Sequence, residues 1–371
     1  MNIWRAFSIF LYRNRVVAKR AISLCKRILP RSASKVLTDA AEKIAFVVFS
    51  DYQANTLPPI FHYWSAKYLA PQLAKFEINS PEGLYFREAV RMARSPEVRG
   101  KLKITSLGSG AGHMELDLLD RLLKLGVDAE LHCVDFNPSL KKAAMGRARH
   151  MELEHAFEFY VEDCNNLASD RIYDVIIVNQ FFHHVEELEF FCSSIKRQLE
   201  PHGVLLTCDV VGQNGHVLWP SVDGAVQRWW KQLPERLRFD RYFNQKVAEY
   251  VSVDHSAYSN EGIRAQDVVK NLLESFHFEV FITYGAAIVP FIERRIGFNF
   301  DPNLSDDSAI ISRIADADEK SVNSGAYPAS NMIAVLRHST AMCTTRFHPV
   351  SPHQFVAMVE LEKVRACSDS A

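Results

Sequence analysis

Three alternating glycines and one downstream aspartate have the spacing expected of a nucleoside-binding site. Gly108, Gly110 and Gly112 follow a short apolar run, and leucines at helical spacing follow them. Glycines at such a strand-to-helix turn let the backbone bend and leave N–H groups at a helix N-terminus open to a ligand. A second apolar run ends at Asp135. At the edge of a parallel sheet, its carboxylate could accept hydrogen bonds from both hydroxyls of a ribose.

The spacing of these glycines differs from that of a dinucleotide fingerprint. Such a site requires Gly-x-Gly-x-x-Gly, and the position of its third glycine is occupied here by His113. Together with the two apolar runs described above, later segments predict seven strands that alternate with helices. The strands are at residues 103–107, 130–134, 157–161, 173–179, 204–211, 278–284 and 331–337. The pattern therefore predicts a parallel sheet that binds a nucleoside other than a nicotinamide dinucleotide.

The order of five motifs resembles that of the class I S-adenosylmethionine-dependent methyltransferases of the small-molecule type. These motifs are SLGSGAG, HCVDFNPS, EDCNNL, YDVIIVNQFFHHV and LEPHGVLLTCD. The resemblance covers residues 100–284, with a last strand near 332–337. It implies an α/β fold with a doubly wound, seven-stranded, Rossmann-like sheet and S-adenosyl-L-methionine as the cofactor.

The resemblance also implies which residues would bind the cofactor. They are Gly108, Ser109 and Gly110 for the methionine part, Asp135 for the ribose, Phe136, Asp163 and Cys164 for the adenine, and Asn179 and Gln180 under the sulfonium. One position departs from the family pattern. The family usually has an acid just before the loop, where this chain has Ser106. The departure leaves open how the amino group of the cofactor is held.

Three histidines are candidate bases for the methyl acceptor. His183 and His184 follow strand four, at the edge where the methyl group would point, and His216 opens the stretch after strand five. An acceptor hydroxyl or protonated amine needs a base, and histidine titrates near neutral pH. For each histidine the alternative is a hydrogen-bonded side chain in a packed loop. Methyl transfer itself is an in-line displacement, so most of the catalysis could come from alignment of the reactants.

The histidine pair and the two acids after it, Glu186 and Glu187, also raise the question of a metal site. Adjacent histidines on an extended segment would point to opposite faces, and no third group of ligands is evident in the sequence. We therefore predict no metal.

We expect the acceptor to be a small molecule or a lipid-linked one, methylated at oxygen or nitrogen. Enzymes that methylate the amino groups of nucleic-acid bases typically have Asn/Asp-Pro-Pro-aromatic after strand four, whereas this chain has Asn-Gln-Phe-Phe at 179–182. The acidic body of the chain also disfavours nucleic acid. Two alternatives stay open: a nicotinamide-dependent sugar-modifying enzyme, and a non-catalytic subunit that binds a nucleoside cofactor.

The composition is typical of a globular protein, and the length indicates one catalytic domain with additional segments. Of 371 residues, 48% are hydrophobic and 23% are charged. The seven cysteines are scattered without a Cys-x-x-Cys pair, which favours a reduced, cytoplasmic setting. No stretch approaches the roughly 18 apolar residues needed to span a bilayer.

The N-terminal segment, residues 1–31, is strongly basic. It carries eight Lys and Arg residues and no acid, so a net charge of −1 for the whole chain leaves −9 for the remainder. Its apolar residues fall on one helical face. Three interpretations compete: a helix packed on the domain as part of a lid, a helix lying peripherally on an anionic membrane, and a cleaved transit peptide.

The predicted organisation has three parts. They are an N-terminal helical extension or lid (1–98), a methyltransferase domain (99–340) with insertions at 213–263 and 285–330, and a C-terminal tail (341–371) that ends in disorder from residue 364. The aromatic segment 60–69 is predicted to be either a core helix or a roof over the cofactor. Because doubly wound sheets bind ligands at the carboxyl ends of their strands, the first insertion is placed to cover the acceptor. The sequence does not specify the oligomeric state.

Overall fold

The structure, a computed structural model, describes residues 56–167, 170–338 and 344–368. The basic segment 1–31 lies outside the described residues. Among the described residues, no helix combines the length and the apolar character that crossing a membrane requires.

The described strands are β1 (Leu102–Leu107), β2 (Ala129–Asp135), β3 (Phe157–Val161), β4 (Tyr173–Asn179), β5 (Leu199–Val210), β6 (Phe239–Asp240), β7 (Gln245–Lys246), β8 (Phe276–Tyr284), β9 (Asn331–His338) and β10 (Arg346–His348). Eight of them form one sheet in the order β10-β8-β9-β5-β4-β1-β2-β3, and β6 and β7 form a separate hairpin. In the large sheet β9 runs antiparallel to both neighbours, while the other pairs are parallel.

The described α-helices are α1 (Pro59–Trp64), α2 (Ala70–Ala74), α3 (Pro81–Ala93), α4 (His113–Lys124), α5 (Pro138–His150), α6 (Leu188–Gln198), α7 (Pro220–Gln232), α8 (Val268–Ser275), α9 (Val289–Ile292), α10 (Ser305–Asn323) and α11 (Pro352–Ser368). A π-helical turn, Ser65–Leu69, joins α1 to α2. Helices cover both faces of the sheet, so residues 173–178 of β4 are all buried, as expected for a central strand of a parallel sheet.

The sheet order reverses between β1 and β4, which are adjacent although β2 and β3 lie between them in the chain. At such a switch point the loops after the two strands separate and leave a crevice at the carboxyl edge. The loop beginning at Gly108 and the turn beginning at Gln180 lie on either side of this point. The fold therefore places the predicted cofactor residues at the edge where ligands bind.

All seven predicted strands are confirmed, with strands six and seven corresponding to β8 and β9. The stretch 213–263 contains α7 and the β6–β7 hairpin, and 285–330 contains α9 and α10. The aromatic segment packs through the ring of Trp64 against Tyr284, with centroids 6.4 Å apart.

The predicted C-terminal tail, 341–371, contains regular structure, and the disorder predicted from residue 364 is wrong as far as Ser368. β10 adds an eighth strand beside β8, and α11 continues to Ser368 with Phe355 and Val359 buried. The strand has only three residues, and α11 also exposes Leu361 and Val364. Because the strand is so short and the helix exposes apolar residues, neither element shows a hydrophobic periodicity clear enough to be predicted from the sequence.

Candidate active site

The glycine loop after β1 is tied to the end of β2. The N–H groups of Gly108 and Ser109 donate to the carbonyl of Val134, at 2.9 and 3.2 Å. The N–H of Gly110 donates to Oδ2 of Asp135 at 3.1 Å. Burial raises the pKa of Asp135, although N–H groups that donate to its carboxylate oppose this. The loop and the carboxylate thus form one hydrogen-bonded unit.

Two glycines of this loop have different surroundings. A Cβ on Gly108 would lie 2.1 Å from the ring of Phe181, so only glycine allows that ring to pack on the loop. Gly110 has a φ of +58°, and a Cβ there would meet no atom within 4 Å. The space in front of Gly110 is therefore open, while that in front of Gly108 is filled by Phe181.

The predicted adenine residues lie beside Asp135. Its carbonyl accepts a hydrogen bond from the N–H of Glu162, which brings the turn after β3 next to the end of β2. In that turn Asp163 Oδ1 accepts from the N–H of Asn165 at 3.0 Å, and Cys164 is buried. Phe136 is 37% exposed, so part of this residue is accessible to a ligand.

At the end of β4, Asn179 and Gln180 lie across the switch point from this loop. The hydroxyl of Tyr85, a fully buried residue of α3, donates to Oδ1 of Asn179 at 2.9 Å. Gln180 has a φ of +52°, and its N–H donates to the carbonyl of Cys208 at 2.8 Å. Tyr85 thus holds the Asn179 amide in one orientation from beneath the sheet edge.

A buried carboxylate fixes the first candidate histidine. Asp209, near the end of β5, accepts hydrogen bonds from the N–H groups of Phe181 and Phe182 at 2.9 and 2.8 Å. Its Oδ1 atom also lies 2.6 Å from Nδ1 of His183. Burial lowers the pKa of His183, but the carboxylates of Asp209 and Glu261 raise it more, to about 10. The two carboxylates therefore favour the protonated form of His183.

All three candidate histidines converge on Glu261. Its Oε1 atom lies 2.8 Å from Nε2 of His216 and 3.4 Å from Nε2 of His183, and its Oε2 atom lies 3.7 Å from Nε2 of His184. Burial and the nearby charge of His183 lower the pKa of His184 to about 4. Burial raises the pKa of Glu261, but the imidazoles lower it further, to below its usual range. Glu261 is therefore a carboxylate surrounded by imidazoles.

The expectation that His183 and His184 point to opposite faces is wrong. They belong to a 3₁₀ turn, Phe182–His184, rather than to an extended segment. Their ring centroids are 4.1 Å apart. A third possible metal ligand is also present, since one ligand atom each from His183, His216 and Glu261 lie within 4.8 Å of one another.

Backbone contacts between two loops bring Glu261 to His216. The N–H of Gly215 donates to the carbonyl of Gly262 at 2.8 Å, and the N–H of His255 donates to the carbonyl of Gly215 at 3.0 Å. The loop carrying Glu261 is thereby held against the 3₁₀ turn Asn214–His216.

Glu115, on α4, brings a carboxyl group next to Ser106, which occupies the position where the family usually has an acid. The hydroxyl of Ser106 donates to Oε1 of Glu115 at 2.8 Å, and both side chains are buried. Burial raises the pKa of Glu115 to about 7, against the hydrogen bond from Ser106. Ser106 and Glu115 together thus place an acid behind the glycine loop.

Four residues of this region were missed by sequence reasoning: Tyr85, Glu115, Asp209 and Glu261. Asp209 could have been found, because it lies near the end of a buried strand just as Asp135 ends β2. Glu261 is 45 residues from His216, and no spacing rule connects them.

Residues 99–267 match the sequence model of a family described as a methyltransferase domain. Among curated proteins, the non-reducing polyketide synthase ausA of Penicillium brasilianum is 27% identical over 205 residues, which cover 54% of this chain and 8% of that protein. The non-reducing polyketide synthase sorB of Penicillium rubens is 28% identical over 138 residues, or 36% of this chain and 5% of that protein. The chain thus spans less than a tenth of these relatives.

Solved structures show weaker similarity. The C-methyltransferase (CMeT) domain of the citrinin polyketide synthase is 25% identical, with a TM-score of 0.32 over 36% of each chain. An O-methyltransferase from a polyketide synthase of Brevibacillus brevis, in complex with S-adenosyl-L-homocysteine, is 13% identical, with a TM-score of 0.39 over 76% of this chain and 84% of that one. The fold assignment therefore rests on the strand order of this chain itself.

Proposed function

We propose that the chain is a class I S-adenosylmethionine-dependent methyltransferase and that it methylates a weakly acidic, oxygen-bearing small molecule of the polyketide type. The match of residues 99–267 to the model of a methyltransferase domain supports the first part. The observation that carries this proposal is the buried Asp209–His183 pair. It lies at the carboxyl edge of the sheet and directs Nε2 of His183 toward Glu261.

The donor side of the site fits S-adenosylmethionine. The open space before Gly110 would accommodate the methionine part, and a Cβ at this position would project into it. Asp135 would accept hydrogen bonds from the ribose, and the exposed ring of Phe136 would stack on the adenine. When bound, this cofactor supplies an electrophilic methyl group whose bond to sulfur breaks as the bond to the acceptor forms.

The acceptor side suits an ionisable oxygen compound. The acceptor must lose a proton, which the neutral imidazole of His184 beside Glu261 would accept, and attack with its freed electron pair. A protonated His183 would donate a hydrogen bond from Nε2 to the resulting oxyanion or enolate and stabilise it. We therefore place a phenol or an enolisable β-dicarbonyl in this site, methylated at oxygen or at the carbon of its enolate.

The curated relatives support the polyketide class, since those reported above are polyketide synthases by name. The acidic charge of the body of the chain supports a small molecule over nucleic acid. A lipid-linked acceptor is compatible with the same chemistry if the apolar part lies outside the site.

The test is a methyl-transfer assay with S-adenosylmethionine labelled with ¹³C in its methyl group. The full chain would be offered phenols, β-dicarbonyl polyketides, alkyl amines and RNA. We expect S-adenosylhomocysteine release and a labelled product only with the first two classes, and nuclear magnetic resonance would identify the methylated atom. Turnover of amines or RNA alone would contradict the acceptor class. Absence of turnover with every acceptor would favour a non-catalytic binding subunit.

A further inference from the structure

We propose that His183, His216 and Glu261 form a binding site for one divalent transition-metal ion, with Zn²⁺ as the best match. Each residue offers one ligand atom, and the three atoms lie within 4.8 Å of one another. Two imidazoles and one carboxylate are a ligand set that binds Zn²⁺ and leaves a fourth position open.

Two of the three distances between ligand atoms are close to those around a bound ion. Tetrahedral Zn²⁺ with bonds of about 2.0–2.1 Å separates its ligand atoms by roughly 3.3 Å. Nε2 of His183 and Oε1 of Glu261 are already 3.4 Å apart. Nε2 of His216 is 2.8 Å from the same oxygen and would need to withdraw by about 0.5 Å to reach that spacing.

The surroundings of His183 also match those of a metal-bound histidine. Metal-binding imidazoles commonly donate their second N–H to a carboxylate, which fixes the tautomer that presents a lone pair to the ion. Asp209 Oδ1 lies 2.6 Å from Nδ1 of His183, and Asp209 is itself fixed by two backbone N–H groups. Nε2 of His183 would therefore be presented to the ion in a fixed orientation.

The site has an open side through which a ligand could enter. The side chain of Glu261 is 41% exposed and that of His216 is 24% exposed, whereas that of His183 is 3% exposed. His184, with Nε2 at 3.7 Å from the other oxygen of Glu261, lies beside this opening. The ion would displace the Nε2 proton of His183. An acceptor oxygen would take the fourth position, where the ion would stabilise its ionised form in place of that proton.

This role rests on the proposed function, but metal binding can be measured without cofactor or acceptor. The full chain would be treated with a chelator, dialysed and titrated with ZnCl₂ by calorimetry, and with CoCl₂ while visible absorption is recorded. We expect one equivalent of each metal to bind, with the visible bands of tetrahedral Co²⁺.

Two substitutions test the ligands, a third tests the carboxylate that orients His183, and a fourth provides a matched control. His216→Ala and Glu261→Gln should each weaken Zn²⁺ binding by more than a hundredfold, and Asp209→Asn by about tenfold to a hundredfold. His202→Ala removes a histidine of similar burial that pairs with Asp174 at 2.9 Å, outside this cluster. That variant should bind Zn²⁺ like the native chain. Glu261 is half exposed, so its Gln variant should fold even if a histidine variant does not.

Failure to bind one equivalent of Zn²⁺ or Co²⁺, or native affinity in Glu261→Gln, would overturn the metal site and leave an ion-paired histidine cluster. Stoichiometric binding together with no methyl transfer to any acceptor would instead overturn the proposed function and leave the metal site standing. The two proposals therefore fail separately.

Discussion

Oδ1 of Asp209 lies 2.6 Å from Nδ1 of His183, and neither side chain is more than 3% exposed. A charge-assisted hydrogen bond in such a buried place fixes both the orientation and the protonation of the imidazole. The chain contains a second pair of the same chemistry, His202 Nε2 with Asp174 Oδ1 at 2.9 Å, at the other end of the sheet strands. The two pairs allow a matched comparison.

Asp209→Asn should lower methyl transfer at least tenfold, because His183 loses the charge that keeps it oriented and protonated. The pKa of His183, now about 10, should fall, as followed by nuclear magnetic resonance of the ring protons. Asp174→Asn should leave turnover unchanged. Equal losses in both variants would point to general destabilisation instead.

Gly110→Val should abolish S-adenosylmethionine binding, because the side chain would enter the open space before the loop. Gly126→Val is the control. Its φ is +82° and its Cβ also meets nothing within 4 Å, so it carries a comparable backbone strain. Calorimetry should show binding in the control alone, and unchanged affinity in a folded Gly110→Val variant would reject the assignment of this loop.

Asp135→Asn should weaken cofactor binding about tenfold to a hundredfold, since charge-assisted hydrogen bonds of about 1.5–3 kcal/mol would be lost. Asp128→Asn, at an exposed position just before β2, should have no effect. Tighter binding of NAD than of S-adenosylmethionine by the native chain would contradict the nucleoside assignment.

Glu115 should make stability depend on pH. Burial raises its folded pKa to about 7 from a usual value of 4.5, so the folded state retains a proton that the unfolded state releases. Its contribution is complete below about pH 4.5 and is lost as pH rises to about 7. The change is at most about 3 kcal/mol.

Glu115→Gln should remove this dependence. The variant should match the native chain in urea unfolding at pH 5 and exceed its stability at pH 8. Glu130→Gln, on β2 and only partly buried, serves as the control. Parallel pH profiles for the native and Glu115→Gln chains would show that Glu115 does not titrate between these values.

The basic segment 1–31 gives a prediction that depends on sequence alone. If its eight positive charges meet anionic lipid at up to about 1 kcal/mol each, liposome binding should require acidic lipid and weaken with salt. Flotation would compare the full chain with a form lacking residues 1–31. Absence of flotation of the full chain at low salt would eliminate the membrane interpretation and favour a packed helix or lid.

The sequence by itself determined the sheet and the donor side of the site. The roles of Gly110 and Asp135 could be predicted from short stretches of sequence. Gly110 lies in a glycine turn directly after a strand, and Asp135 lies at the end of an apolar run. Local hydrophobic patterning likewise located all seven predicted strands. β10 was missed because three residues are too few to show a period.

Only the tertiary structure decided the acceptor side. Asp209 reaches His183 because β4 and β5 are paired, and Glu261 reaches His216 through a loop-to-loop contact between Gly215 and Gly262. Such contacts join residues far apart in the chain, and their geometry depends on how long loops fold over the sheet. The residue types were visible in the sequence, whereas their convergence on one carboxylate was not.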